Sequence, residues 1–378
     1  MSDLGEPAVI LDAPGLATMV EVLHRRGYTV VGPAVRDGAI MLAELASAAD
    51  LPFGWGVETE AGRYRLRARP DGAAFAHSAG PQSVKDVLHP PRARLWSADR
   101  TPEGIDSTGP EPPPRYAVLG ARPCDLAAIG VLDRVLTAGA APEPIYTARR
   151  DGTFLVAVEC TEPGATCFCT SMGTGPDARS GYDLAMTELV GAGGHRFVVR
   201  AGTPAGAEVL AELPTRPDDD RSAVRAREAV AAAARGMQRA MPDESLPDLL
   251  AAARESPHWA DVADRCLTCG NCTMVCPTCF CTTTEDVTDL TGEHAERWRR
   301  WDSCFDLDYS YVHGGAVRRS GESRYRQWIS HKLGTWHQQF GSSGCVGCGR
   351  CIAWCPAGID ITAEAAALSA LRIAGEES

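Results

Sequence analysis

Two stretches of the chain carry the same cysteine spacing. Cys266, Cys269, Cys272 and Cys276 are followed by Pro277, and Cys345, Cys348, Cys351 and Cys355 by Pro356. Both read C-x2-C-x2-C-x3-C-P, with 68 residues between Cys276 and Cys345. In such a run three thiolates hold one iron–sulfur cube and the fourth reaches across to a second cube. The short gaps let a loop wrap three corners. The longer step begins a helix that turns the fourth thiolate away, and the proline fixes the exit. The spacing therefore predicts two [4Fe-4S] clusters. Cys266, Cys269, Cys272 and Cys355 would hold the first. Cys345, Cys348, Cys351 and Cys276 would hold the second. Zinc sites usually draw on two separated cysteine pairs, whereas each run here supplies four cysteines. Cys272, Cys276 and Cys279 also match a radical-SAM triplet, but they overlap the first run, and no barrel of alternating strands and helices surrounds them.

Seven further cysteines complete the fifteen. Residues 1–6 show neither a basic region nor an apolar stretch, and Arg25-Arg26 closes a predicted helix, so a cytoplasmic protein without a secretory signal is expected. No run approaches the ~20 apolar residues of a membrane span. Thiols in that compartment stay reduced, which leaves metal ligation, redox work or burial for the sulfurs. Cys124, and Cys160 with Cys167 and Cys169, each follow a predicted strand and could converge at the strand ends. Four thiolates suffice for a possible third [4Fe-4S] cluster, with another metal or plain burial as the alternatives. Cys279, Cys281 and Cys304 are expected to pack or to line the cluster surroundings. The net charge of −12 speaks against nucleic acid and for protein partners.

The expected fold class is α+β: an N-terminal mixed α/β domain over 1–215, a helical connector over 216–256, and an α-helical two-cluster ferredoxin-like domain over 257–378. Asp12 reads as the N-cap of a helix with Pro14 in its first turn. Leu16, Met19, Val20 and Leu23 recur at helical spacing. Strands are expected at 28–31 and 40–42 around the Asp37-Gly38 turn, and at 64–67, 116–120 and 154–158. Segment 101–115 reads as a loop from its proline and glycine content, and 203–220 as a surface connector ending in Asp218, Asp219 and Asp220. Helices are expected over 221–241, 246–254 and 360–374. The insert between the cysteine runs carries Trp298, Trp301, Trp328 and Trp336 among basic residues: Arg297, Arg299, Arg300, Arg318, Arg319, Arg324, Arg326 and Lys332. It reads as a solvated helical face with core tryptophans, or as a docking surface. Cations close to a cube would favour its reduced state.

No phosphate-binding loop of the G-x-x-x-x-G-K-[ST] type is present. Gly173 to Ala178 resembles G-x-G-x-x-A, but Pro176 spoils it as a dinucleotide fingerprint. No coherent catalytic set emerges, so no catalytic residue and no flavin or nucleotide are expected on this chain. Several segments together resemble one family: Arg122 to Asp125, Cys167 to Gly173, Cys276 to Cys281, Tyr325 to Trp328 with His331 and Lys332, and Cys345 to Cys351 with Gly358 to Asp360. The chain resembles the β (iron–sulfur) subunit of cytoplasmic NAD(P)-linked nickel–iron hydrogenases, also called sulfhydrogenases. It is similar in outline to the iron–sulfur subunit of anaerobic sulfite reductase. The resemblance implies a non-catalytic electron relay. Its partners would be a flavin-bearing NAD(P) diaphorase subunit, together with either the hydrogenase small and large subunits or a sirohaem sulfite reductase.

Overall fold

The computed structural model describes residues 8–191, 193–218 and 221–376. The expectations for Met1 to Glu6 and for Asp219 and Asp220 lie outside the described residues. The chain is mixed helix and sheet. Eight strands form one sheet in the order Thr215–Pro217, Val9–Asp12, Arg196–Ala201, Leu184–Leu189, Phe154–Val158, Tyr116–Ala121, Thr29–Arg36, Ala39–Glu44. The pairs joining Leu184–Leu189, Phe154–Val158, Tyr116–Ala121 and Thr29–Arg36 are parallel, and the outer pairs antiparallel.

Phe154–Val158 is buried at every position, as a parallel strand covered on both faces must be. Phe154, Val156 and Val158 face a core completed by Leu16, Met19, Val20 and Leu23 of helix Gly15–Arg25. Leu155 and Ala157 face the other way, against Leu126, Ile129 and Leu132 of helix Pro123–Leu136. The helical periodicity at residues 16–23 thus marks a true core face. Asp12, expected as an N-cap, ends the first strand instead, and Pro14 occupies the cap position.

A second sheet corrects the reading of two segments. Strands Arg92–Thr101 and Gly104–Thr108 form a hairpin where 101–115 read as loop. Thr282–Thr288 and His294–Trp301 form another hairpin inside the insert, so the cysteine-rich part is not purely helical. His294–Trp301 then pairs with Arg92–Thr101, which welds the insert to the N-terminal part of the chain. Segment 203–220 likewise contains helix Pro204–Ala211 and the edge strand Thr215–Pro217. Helices Arg221–Arg235, Leu246–Ala252 and Ile361–Glu376 lie where helices were expected. Trp259, Phe305, Tyr325 and Trp328 form the aromatic core of the cysteine-rich part.

The two cysteine runs fold alike. Thr268 and Gly347, each two residues after a first cysteine, have φ of 49° and 65°. Their N–H groups both donate to that cysteine's sulfur, at 3.4 Å. Gly270 and Gly349 then cap the helices Asn271–Met274 and Arg350–Ala353 in the left-handed conformation that glycine tolerates best.

Candidate iron–sulfur sites

Cys266, Cys269, Cys272 and Cys355 line one cavity. Its other walls are apolar, with Phe305, Tyr325, Trp328, Ile359 and Ile361. Cys351 also borders it. Cys269 is exposed, so this site opens to the surface. Burial pushes the Cys266 and Cys272 thiols up from their ordinary range.

Cys345, Cys348, Cys351 and Cys276 lie within electrostatic reach of one another. Burial pushes Cys345 up to about 12 and raises Cys348 and Cys351, while Lys332 and Arg350 pull Cys345 and Cys348 back down. Cys276 behaves differently. A hydrogen bond from the Cys279 thiol holds Cys276 well below the ordinary thiol range, and the same bond drives Cys279 up. Of these two neighbours Cys276 is therefore the ready thiolate, which agrees with its place in the cysteine run. Lys332 Nζ donates to Cys276 Sγ at 3.3 Å and to Thr278 Oγ1 at 3.1 Å.

Cys124, Cys160, Cys167 and Cys169 line a second cavity, joined there by Cys348. The two cavities enclose about 450 Å³ and 410 Å³ of space free of protein atoms, so they fit occupants of similar size. The topology explains the convergence. Tyr116–Ala121 and Phe154–Val158 are adjacent parallel strands, and Cys124 and Cys160 follow their carboxyl ends, where open parallel sheets gather ligands. The following loop brings in Cys167 and Cys169. That loop abuts the second cysteine run directly: Phe168 N–H donates to Gly347 O at 2.9 Å. A Cβ on Gly347 would collide with the Cys169 backbone, and one on Gly349 with the Thr166 carbonyl. Burial pushes Cys167 up to about 12 and raises Cys124, Cys160 and Cys169.

Among the described residues no three His, Cys, Asp or Glu side chains are placed to hold a single metal ion. A cube presents its irons at separate corners, so its ligands surround a volume instead of converging on a point. Sulfur sets around enclosed cavities fit that demand. So does their chemistry, because buried thiols become thiolates readily only when positive charge arrives, and the irons bring it.

The remaining sulfurs take secondary places. Cys304 packs against the aromatic core, within reach of Cys272 and Cys281, and burial pushes it up to about 12. Cys281 accepts a hydrogen bond from the Tyr309 hydroxyl. The basic residues of the insert divide as well. Arg297 pairs with Asp286 at the surface and Arg299 with Glu143 at 2.7 Å, whereas Lys332 reaches a cysteine of the runs. Lys85 escaped the sequence reading. It is buried in helix Val84–Leu88 and donates to the carbonyls of Met274 and Cys279, both at 3.2 Å. The available signal was a lysine inside an otherwise apolar turn after the Ser83–Asp86 capping pattern. The position of Arg350 inside the second run was visible, but not its pairing with Asp125 at 2.9 Å.

The duplicated run and the sulfur-lined cavity define an iron–sulfur protein of the dicluster class, and the family model of the 4Fe-4S dicluster domain matches residues 265–359. The chain is 34% identical over 251 residues to the sulfhydrogenase 2 subunit beta of Pyrococcus furiosus, an alignment covering 65% of this chain and 72% of that protein. It belongs to the sulfhydrogenase beta-subunit family. No solved structure matches it. Among the described residues no helix is long and apolar enough to cross a membrane.

Proposed function

We propose that this chain is the electron-relay subunit of a hydrogenase complex, with three [4Fe-4S] clusters in a row. Cys266, Cys269, Cys272 and Cys355 would hold the outer cluster. Cys345, Cys348, Cys351 and Cys276 would hold the middle one, and Cys124, Cys160, Cys167 and Cys169 the inner one. Bound cubes supply one-electron redox chemistry. The observation that carries the reading is the sharing of walls. Cys351 of the middle set borders the outer cavity, and Cys348 of the same set borders the inner cavity. The middle set is thus adjacent to both others. The chain's own work is to fix these neighbours rigidly, exclude water from the inner two and leave the outer one open at Cys269. The route would be completed at one end by a flavin-bearing NAD(P) diaphorase and at the other by the hydrogenase small and large subunits. The name of the Pyrococcus relative favours hydrogenase over sulfite reductase.

The test is a Cys167→Ser/Cys169→Ser double variant of the full chain, purified without oxygen. Iron should fall by about four atoms per chain, one cube's worth. Electron flow between NADPH and the hydrogenase subunits should collapse in the reassembled complex. Unchanged iron would remove the inner cluster from the relay.

A further inference from the structure

The three sulfur sets differ in the charge buried around them. Lys332 and Arg350 are each 3% exposed. Lys332 Nζ spends its donors on Cys276 Sγ, Thr278 Oγ1 and Gly344 O, at 3.1–3.3 Å. Arg350 sits at the other side of the middle set, within electrostatic reach of Cys348. It pairs with Asp125 and donates to Gly80 O at 3.0 Å, and its Nη1 is buried without a hydrogen-bond partner among the described residues. Lys85, also 3% exposed, lies within reach of Cys276. Among the described residues no lysine or arginine lines the outer cavity. Near the inner set Arg122 is offset by Asp125, Glu159 and Glu162.

We infer that the middle set is the electron trap of the chain, the site reduced first, with Lys332 and Arg350 as the positioning residues that hold the extra negative charge. This rests on the relay reading above. An electron added to a thiolate-ligated cube raises its negative charge. A cation beside a ligand sulfur in a site of effective dielectric about 20 stabilises that charge roughly four times better than it would in water. Solvent at Cys269 helps the outer site in the same direction, but it touches one corner, and the rest of that cavity is hydrocarbon. A relay with its sink in the middle fills there before it passes an electron outward in either direction.

The experiment is an anaerobic redox titration of the full chain followed by EPR, preceded by iron analysis, in the wild type and Lys332→Met. The first signal to develop in the wild type should move to more negative potential in Lys332→Met. Iron should be unchanged and the other signals unmoved, and Lys332→Arg should restore the position. Arg350→Gln should move the same signal the same way. The inference is overturned if full iron is kept and no signal moves, or if the signal that moves is not the first to develop. It is also overturned if both variants lose a cube's worth of iron, since the cations would then be scaffold alone. A wild type without iron sinks the relay reading itself, and the iron analysis reveals this before any titration.

Discussion

Phe154–Val158 and Leu184–Leu189 bury every residue they contain, between helices that cover both faces of the large sheet. Asn271–Met274 and Arg350–Ala353, which set the cysteines, are only four residues long. Around them the buried groups include Lys85, Lys332 and Arg350, tied to carbonyls, sulfur and one carboxylate. Apolar burial, at about 25 cal/mol per Å², carries the first region without help. The second places cations and thiols out of water, where each is costly unless opposite charge completes it. The contrast separates a scaffold that stands by itself from a region built round its cofactor, welded to each other by strand Arg92–Thr101 against His294–Trp301.

The largest test of that contrast is removal of iron. Anaerobic stripping with a chelator should leave amide-exchange protection in the strands 154–158 and 184–189, while residues 266–276 and 345–355 lose theirs. Equal protection in both regions would break the comparison. A smaller effect of opposite location is expected from Phe197→Ala. Phe197 is fully buried in the sheet core and packs edge-on against Phe75 at 6.1 Å. The cavity should cost about 3–5 kcal/mol in chemical denaturation, with iron content intact. Gly349→Ala should do the reverse. It forces alanine to φ +73° against the Thr166 carbonyl, a strain of about 1–3 kcal/mol. Iron should be lost from the middle and inner sets, with little change in the unfolding of the sheet.

How far the sequence could be read follows the same division. Cysteine spacing is a local code, so the two runs and their shared backbone turns were legible residue by residue. Convergence of Cys124 with Cys160, Cys167 and Cys169 was legible because strands 116–121 and 154–158 are short and apolar, and parallel neighbours present their carboxyl ends together. The second sheet was not. Thr282–Thr288 is mostly exposed and polar, without the alternation that marks a half-buried strand. Its support comes from residues 92–101, nearly two hundred positions away in the chain. Pro112, Pro113 and Pro114 biased their neighbourhood toward loop, although the hairpin ends before them at Thr108. The buried cations were hidden for another reason. Lysine and arginine normally mark the surface, and only tertiary contact reveals that Lys85, Lys332 and Arg350 face sulfur and carbonyl oxygen.

Iron and acid-labile sulfide per chain, measured after anaerobic purification together with EPR of the dithionite-reduced protein, test the three-site relay most directly. The account predicts about twelve irons per chain, four for each cube, with three mutually interacting signals. About eight irons with two signals would contradict it, by confining the clusters to the two cysteine runs and leaving Cys124, Cys160, Cys167 and Cys169 outside the electron path.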